Sequence, residues 1–280
     1  MTTDEILVLG ATGKTGRRVV GLLRAEGRKV RAASRSGEVT FDWGRPETWA
    51  AAVDGASALF LVAPEDPSPV DALVKQAAAA GVSRFVALSG RGLEHAPGDF
   101  GADMLEGERA VRESGAAWTV IRPNNFNQNF DEYIWREPLR AGRLALPAGA
   151  TGAAPEPFVD VDDVAAVAAL LLTAEGGEHD GRAYELSGPR GLSFGEAVDI
   201  MARASGRPMV YEELTPEEYT AELLEQGAPP EVAEGMNALF TAVRSGLISR
   251  PVDGVRELLG RDPIAFETFA ERAARAGAWS

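Results

Sequence analysis

The sequence predicts an α/β fold with a doubly wound parallel sheet, which helices cover on both faces. Short apolar runs alternate with segments of helical periodicity, and a mainly helical stretch follows towards the carboxyl end. The first apolar run also leads into three glycines spaced three residues apart. Such alternation is typical of parallel sheets, because each parallel pair of strands needs a crossover, usually a helix.

Apolar runs of strand length account for the first half of the predicted sheet. We expect strands at 6–9, 30–34, 39–41, 58–62, 85–89 and 118–121. The segments between them carry apolar residues at helical spacing, which predicts crossover helices at 15–26, 46–53, 69–80 and 103–114. Each predicted helix is long enough to return the chain to the start of the next strand.

The second half completes the sheet and then changes character. Further strands are expected at 158–160 and 182–187, after a loop rich in Pro, Gly and Ala at 147–157. Ser193 with Glu196 fits a capping box, Thr215 precedes another helix start, and Pro230 begins a third. From Met209 onward we expect a small, mainly helical lobe docked on the sheet. The chain is thus one unit over 1–280, with 1–150 mainly the core sheet and 151–280 its completion plus a substrate lobe.

Composition excludes several classes of function. The net charge of −14 disfavours a nucleic-acid or anionic-membrane surface, and the lack of cysteine excludes disulfides and thiolate metal sites. His95 and His179 lack metal-ligand spacing, so no metal is expected. No apolar run reaches transmembrane length, and 1–5 carries acids where a signal peptide would be basic. We therefore expect a cytoplasmic protein; its oligomeric state stays open.

The glycine-rich segment after the first strand is the most specific motif. Gly10 permits a tight exit from the strand, Gly13 allows close approach of a pyrophosphate, and Gly16 allows the helix to pack on the sheet. A Walker A loop is excluded, because Val8 stands where that motif needs a glycine. We predict a dinucleotide-binding turn whose contacts are Gly10, Thr12, Gly13, Lys14, Thr15 and Gly16.

The end of the second strand indicates which dinucleotide binds. Enzymes that use NAD usually place an acid there for the ribose hydroxyl, whereas this strand ends in Ser34 and Arg35, which can donate to a 2′-phosphate. We therefore predict NADP(H). Asp42 could meet the adenine, and Ala63 with Pro64 could line the nicotinamide side. Basic residues near the turn are expected to favour an anion, namely Lys14, Arg17, Arg18, Arg31 and Arg35.

Several segments together resemble the NmrA-like group of atypical short-chain dehydrogenases. The matching pieces are GATGKTG at 10–16, VRAASRS at 30–36, FDW at 41–43 with ETW at 47–49, RFVALS at 84–89, WTVIRPN at 118–124 and FVDVDDV at 158–164. Within the group the chain looks most like the NADPH reductases of ergot-alkaloid biosynthesis, and less like azo- and quinone-reductase members. The resemblance implies a Rossmann fold with strand order 3-2-1-4-5-6-7.

The chain departs from the typical short-chain dehydrogenases at the catalytic position. Those enzymes use a Tyr-x-x-x-Lys pair, in which lysine lowers the tyrosine pKa for proton transfer. In the register that the resemblance implies, Phe100 and Met104 occupy these two positions. Neither can transfer a proton, so ordinary ketone reduction is disfavoured.

Polar and aromatic residues near the strand ends are candidates for the reaction. Ser89, Asp103 and Tyr133 are the possible catalytic residues, and Ser89 matches the serine of the family, where it could touch substrate or nicotinamide. Asp103 could equally complement a helix dipole. A ring-containing, apolar small molecule could be bound by Asn124, Phe126, Phe130, Tyr133 and Trp135, with Met236 and Phe240 as further candidates for an apolar pocket.

Three functions remain compatible with these features. The first is an NADPH-dependent reductase that transfers hydride to an iminium, enone or quinone, since an electron-poor carbon does not always need an acid. The second is a regulatory protein that senses NADP(H) without turnover, which the missing Tyr/Lys pair would allow. The third is a non-redox enzyme that retains the dinucleotide as a structural element.

Overall fold

A computed structural model describes residues 4–149 and 154–280, which contain nine strands. These are β1 (Glu5–Leu9), β2 (Lys29–Ser34), β3 (Val39–Thr40), β4 (Ala56–Val62), β5 (Arg84–Leu88), β6 (Ala117–Pro123), β7 (Arg143–Leu146), β8 (Arg182–Leu186) and β9 (Val210–Glu213). Seven of them form one parallel sheet in the order β3-β2-β1-β4-β5-β6-β8. This order confirms the expected Rossmann topology.

Helices cover both faces of the main sheet and build the rest of the chain. They are α1 (Gly16–Ala25), α2 (Trp49–Val53), α3 (Val70–Ala79), α4 (Ala102–Glu113), α5 (Arg136–Arg140), α6 (Val161–Thr173), α7 (Phe194–Ser205), α8 (Pro216–Glu225), α9 (Pro230–Arg244), α10 (Gly254–Leu259) and α11 (Phe266–Arg275). Short 3₁₀ turns lie at Pro46–Thr48, Leu93–His95 and Asn127–Asn129. The capping box predicted at Ser193 is confirmed, as is the helix start after Thr215, where the structure shows a second capping box.

Strand β1 shows why the predicted runs are continuously apolar. Its alternate residues enter opposite cores: Ile6 and Val8 pack with α1 and α6, whereas Leu7 and Leu9 pack with the helices α2 to α4. Because both faces of a parallel sheet are buried, no polar alternation is left in the sequence. The carboxyl ends of the strands then meet at one open edge, where ligands of doubly wound sheets bind.

The segment 158–160 was expected to form a strand, and this prediction is wrong. Only Val159 makes an isolated bridge, to Phe126. The chain leaves the extended conformation at once because Asp160 is the N-cap of α6 and accepts a hydrogen bond from the Asp162 N–H. The motif therefore begins a helix rather than completing the sheet.

A second, two-stranded sheet lies outside the predicted elements. Strands β7 and β9 pair in parallel, with Leu144 opposite Tyr211. β9 interrupts the stretch that we expected to be mainly helical. The loop predicted at 147–157 and the proposed boundary between 150 and 151 involve residues 150–153, which lie outside the described residues, as do residues 1–3.

A separate aromatic core holds the lobe together. Its buried members come from the segment after β6 as well as from the last third of the chain, and they include Phe130, Trp135, Phe158, Phe194, Phe240, Phe266 and Trp279. Phe130 alone packs against four of these rings at centroid distances of 4.7–6.1 Å. The lobe therefore draws on residues from 130 onward rather than on the carboxyl end alone.

Candidate functional site

The glycine turn between β1 and α1 has the geometry that its sequence predicts. Gly10 adopts φ +63°, which favours glycine, and it turns the chain out of β1. A Cβ on Gly16 would stand 2.2 Å from the Gly10 carbonyl oxygen. At Gly13 the corresponding distance is 3.1 Å. The turn therefore closes tightly only with a glycine at the start of α1.

The N-terminus of α1 presents unpaired donors. Within the described part of the chain, the backbone N–H groups of Thr12, Lys14 and Thr15 have no hydrogen-bond acceptor. Thr15 makes no side-chain cap, and the first turn of α1 contains no acid. Free N–H groups at the positive end of a helix dipole are a favourable site for a phosphate.

A cavity of about 560 Å³, which we call the turn cavity, adjoins this turn. It brings together many of the predicted dinucleotide contacts and is lined by Gly10, Thr12, Gly13, Ser34, Arg35, Ser36, Phe41, Asp42, Trp43, Pro64 and Glu65. Four of these residues were not predicted as contacts, namely Ser36, Phe41, Trp43 and Glu65. The lining does not include Lys14, Thr15, Gly16, Ala63 or Ser89.

Two groups in the turn cavity fit a 2′-phosphate. Ser34 is only 8% exposed, and its hydroxyl has no hydrogen-bond partner. Arg35 is exposed, and its guanidinium forms no ion pair with any residue in the described ranges. A buried hydroxyl without a partner is costly unless a ligand satisfies it. Asp42 instead uses Oδ1 to accept from the Gly44 N–H at 3.0 Å, which is turn chemistry.

Three of the five basic residues expected to attract the anion are neutralised elsewhere. Arg17 and Arg18 both form ion pairs with Glu132, and Arg18 also pairs with Asp162. Arg31 pairs with Glu5 at the opposite, amino edge of the sheet. The expectation that these three arginines serve the turn is wrong, because acids distant in sequence fold against them.

A second cavity, of about 290 Å³, lies at the carboxyl edge of β5 and β6, and we call it the edge cavity. Its polar lining comes from Lys14, Ser89, Arg91, Asn124, Asn125 and Asn129. The remaining wall is mostly apolar and includes Leu93, Phe100, Met104, Phe126, Tyr133, Leu239, Ala242 and Ile248. The contribution of Arg91 was not anticipated, since nothing local in its sequence marks it. Helix α9 contributes Leu239 and Ala242 rather than the predicted Met236 and Phe240.

Phe100 and Met104 both line the edge cavity. They occupy the positions where the resemblance would place tyrosine and lysine. The departure therefore changes the wall of the cavity itself: a surface that could transfer a proton is replaced by one that can only exclude water.

Ser89 also lines the edge cavity, but its proton is already engaged. Its hydroxyl donates to Glu108 at 2.6 Å, and Glu108 further accepts from Arg122 and Arg112. Burial opposes ionisation of Glu108, but the hydrogen bonds from Arg122 and Ser89 outweigh it and hold the Glu108 pKa below its usual value. Ser89 can thus offer a ligand only its lone pairs.

Five predicted residues lie away from the edge cavity. Asp103 stands in the first turn of α4 and is not among the lining residues, and burial raises its pKa. Phe130 and Trp135 were expected to touch substrate, but neither lines the edge cavity. Both rings are buried in the aromatic core, with their centroids 4.7 Å apart. Phe240 is likewise core, and Met236 lines a different groove.

Asn124 reaches the edge cavity through a buried network. Its Nδ2 donates to Glu156 Oε1 at 2.7 Å, and its Oδ1 accepts from Arg91 at 3.1 Å. Burial raises the pKa of Glu156 to about 7. Glu156 was missed in the sequence because its partner lies 32 positions earlier.

The raised pKa of Glu156 predicts a pH-dependent stability. Folding favours its protonated form, so stability is lost as the pH rises from the unfolded value near 4.5 through about 7. Glu156→Gln keeps an acceptor for Asn124 without the charge. We expect it to raise the melting temperature at pH 8 by a few degrees and to leave it unchanged at pH 4. If wild type and Glu156→Gln had the same melting temperature at pH 8 as well as at pH 4, the raised pKa of Glu156 would be contradicted.

Other classes of site find no support in the described ranges. Residues 4–149 and 154–280 hold no cluster of three or more His, Asp or Glu side chains suited to a metal ion. No helix among them combines the length and apolar character needed to cross a membrane.

Comparison with known proteins identifies the family. Residues 10–175 match a family model described as NAD(P)H-binding. The chain belongs to this family. It is 35% identical to a (4-alkanoyl-5-oxo-2,5-dihydrofuran-3-yl)methyl phosphate reductase of Streptomyces griseus, over 97% of this chain and 98% of the relative. It is also 32% identical to a festuclavine dehydrogenase of Aspergillus fumigatus, over 95% and 97% of the two chains.

A solved structure supports the same assignment at the level of the fold. The triphenylmethane reductase of Citrobacter sp., crystallised with NADP(H), superposes with a TM-score of 0.76 at 23% identity, over 96% of this chain and 99% of the other. The NmrA-like resemblance, the Rossmann fold and the NAD(P)H cofactor are therefore confirmed, and the chain is an oxidoreductase of the NAD(P)H-dependent reductase family.

The residues present fit the dinucleotide that the family binds. The turn offers unpaired N–H groups, Gly16 leaves no room for a side chain, and Ser34 provides a buried hydroxyl that lacks a partner. These features lie around one edge of the sheet, so a dinucleotide held at the turn has the edge cavity beside it.

Proposed function

We propose that the protein is an NADPH-dependent reductase that delivers hydride to an activated double bond of a ring-containing, apolar small molecule, such as an iminium, enone or quinone. The observation that carries this proposal is the edge cavity. It adjoins the dinucleotide turn through Lys14, and its wall is apolar where a Tyr/Lys pair would stand. Substrates that are already electron-poor are therefore favoured over simple ketones.

Each part of the site has a separate task in this proposal. The free N–H groups of the turn bind the pyrophosphate, and Ser34 with Arg35 holds the 2′-phosphate. When bound, NADPH supplies a hydride from its nicotinamide ring. Phe100, Met104 and Phe126 exclude water and orient a flat ring in the edge cavity.

The name of one relative supports a cyclic, activated acceptor. The Streptomyces enzyme is named for a 5-oxo-2,5-dihydrofuran, a ring that contains both a carbonyl group and a carbon–carbon double bond. Festuclavine dehydrogenase is named for another small molecule. That the present chain reduces an acceptor of this kind is part of our proposal.

The missing Tyr/Lys pair would also suit a protein that senses NADP(H) without turnover. We would expect such a protein to lack a substrate cavity beside the turn. The edge cavity of about 290 Å³ therefore favours the reductase. A non-redox enzyme would form product without consuming NADPH, and the experiment below separates all three.

The test is oxidation of NADPH in the presence of a panel of cyclic iminiums, enones and quinones. Loss of the reduced-nicotinamide absorbance with one class of acceptor, and none without acceptor, is expected. Tight NADPH binding without oxidation across the panel would reject the reductase in favour of the sensor, and product without oxidation would indicate the non-redox enzyme.

Phe100→Tyr tests the role of the apolar wall. We expect it to raise the reduction rate of simple ketones by less than about tenfold, since no lysine stands at position 104 to lower the tyrosine pKa. The double variant Phe100→Tyr/Met104→Lys is the matched comparison and should gain more. A large gain from the single variant would show that the wall needs only a phenol to reduce ketones.

A further inference from the structure

Lys14 belongs to the glycine turn by sequence, but its side chain lines the edge cavity. Its Nζ donates to Asn129 Oδ1 at 2.6 Å. The same Nζ lies 4.7 Å from the ring centroid of Tyr133 and 5.6 Å from that of Phe126. The ammonium therefore stands at the junction between the dinucleotide turn and the cavity, with one of its three donors engaged by Asn129.

The charges around Lys14 leave its ammonium only weakly compensated. Glu132 and Asp131 attract it from the segment after the 3₁₀ turn, and Arg17 and Arg18 repel it from α1. Glu132, however, is paired with both arginines. Burial raises the Asp131 pKa to about 7, so this acid is only partly charged near neutral pH.

Burial has the largest effect on Lys14 and lowers its pKa to about 8. Lys14 is thus mainly protonated at neutral pH and yet releases its proton readily. The other basic group in the lining is Arg91, which is paired with Glu185 and does not deprotonate in proteins. Among the described residues that line the edge cavity, the rival donor is the Tyr133 hydroxyl, on a residue that is 61% exposed.

We propose that Lys14 is the proton donor to the oxygen of the acceptor, and that its positive charge selects enones and quinones over cationic iminiums. This inference rests on the proposed reductase function and assigns the acid that the missing Tyr/Lys pair would have supplied. Like charges within one cavity repel, whereas oxygen that gains negative charge during reduction is stabilised by a nearby ammonium.

The step balances for an enone. The β-carbon gains hydride from NADPH, the electron pair of the carbon–carbon double bond shifts to form the enolate, and the carbonyl oxygen takes a proton from Lys14 Nζ. The enol then tautomerises to the saturated ketone, and the neutral amine regains a proton from water. NADPH is converted to NADP⁺ overall, and one proton is consumed.

Lys14→Met is the direct test, because it keeps the bulk and removes the proton. Lys75→Met is the matched control, since Lys75 lies on the exposed face of α3 and pairs with Asp71. With a quinone or enone, Lys14→Met should lower kcat by about 100-fold or more, and Lys75→Met should leave it unchanged. With a cyclic iminium, Lys14→Met should raise the rate, because the ammonium that repels the cation is gone.

The pH profile separates proton donation from a structural role. For wild type, kcat with a quinone should fall as the pH rises through and above about 8, as the ammonium is lost. Lys14→Met should lack this limb. An unchanged limb in Lys14→Met, or a greater loss of activity in Tyr133→Phe than in Lys14→Met, would overturn the assignment to Lys14.

Binding gives a readout that does not depend on turnover. 4-Nitrophenol absorbs differently as phenol and phenolate, so its pKa can be read from its spectrum when it is bound to the protein loaded with NADP⁺. With both proteins saturated with NADP⁺, we expect wild type to lower that pKa by at least one unit relative to Lys14→Met. Equal spectra at saturating NADP⁺ would show that Lys14 does not face the acceptor oxygen.

The two proposals fail in distinguishable ways. If wild type oxidises NADPH with none of the acceptors, the reductase function itself is wrong. If wild type reduces quinones and Lys14→Met does so within threefold of the same kcat, only the assignment of the proton donor is wrong.

Discussion

Gly16→Ala is expected to reduce the free energy of unfolding by about 3 kcal/mol and to abolish measurable NADPH binding. The added Cβ would lie 2.2 Å from the Gly10 carbonyl oxygen and 2.8 Å from its carbon, so either α1 or the turn must move. Both contacts are backbone, which cannot rotate away as a flexible side chain would. Movement of the turn would also displace the N–H groups that hold the pyrophosphate.

Gly21→Ala is the matched control in the same helix. A Cβ at Gly21 meets nothing within 4 Å, so this change should stabilise the helix by about 0.5–1 kcal/mol. Urea unfolding gives both free energies, and fluorescence titration gives the NADPH affinity. If the two variants were equally stable and bound NADPH equally well, the close approach of α1 to the turn would not be needed.

Arg35→Ala is expected to weaken NADPH binding by about 10- to 100-fold and to leave NADH binding unchanged, since a hydrogen bond to a charged group contributes about 1.5–3 kcal/mol. Arg35 is exposed and unpaired within the described residues, so its removal leaves no protein group without a partner. The loss should therefore report the 2′-phosphate alone. Dissociation constants for the two dinucleotides measure the selectivity directly.

Arg28→Ala provides the control for a general loss of positive charge. Arg28 is also exposed, but it precedes β2 at the amino edge of the sheet, away from the turn cavity. Arg28→Ala should leave the affinities for both NADPH and NADH unchanged. Equal losses for NADPH and NADH in Arg35→Ala would remove the 2′-phosphate role and leave only a general electrostatic contribution.

The main sheet could be predicted because its signals are local. An apolar run, a glycine at the strand exit and a capping residue at a helix start each act within a few positions, as at Gly10, Ser193 and Thr215. The strand order, by contrast, came from the resemblance rather than from periodicity. The order that the resemblance implied is the observed one.

Two of the errors have a different cause, which is pairing between distant parts of the chain. Strands β7 and β9 are four residues each and pair across more than sixty positions. Arg17 and Arg18 were expected to attract an anion, but both pair with Glu132, which lies more than a hundred positions away in the sequence. Trp135 looked like a substrate contact because a buried aromatic core and an aromatic pocket have the same composition.

The central claim is direct hydride transfer from NADPH to the acceptor, and the measurement that tests it most directly follows a deuterium label into the product. NADPH carrying deuterium at either the 4R or the 4S position would be mixed with an enone that the panel identifies, whose β-carbon keeps the label in water, and the product analysed by mass spectrometry. Our account predicts one deuterium in the product from one of the two labelled forms and none from the other. Product without deuterium from either form would contradict direct hydride transfer in the edge cavity.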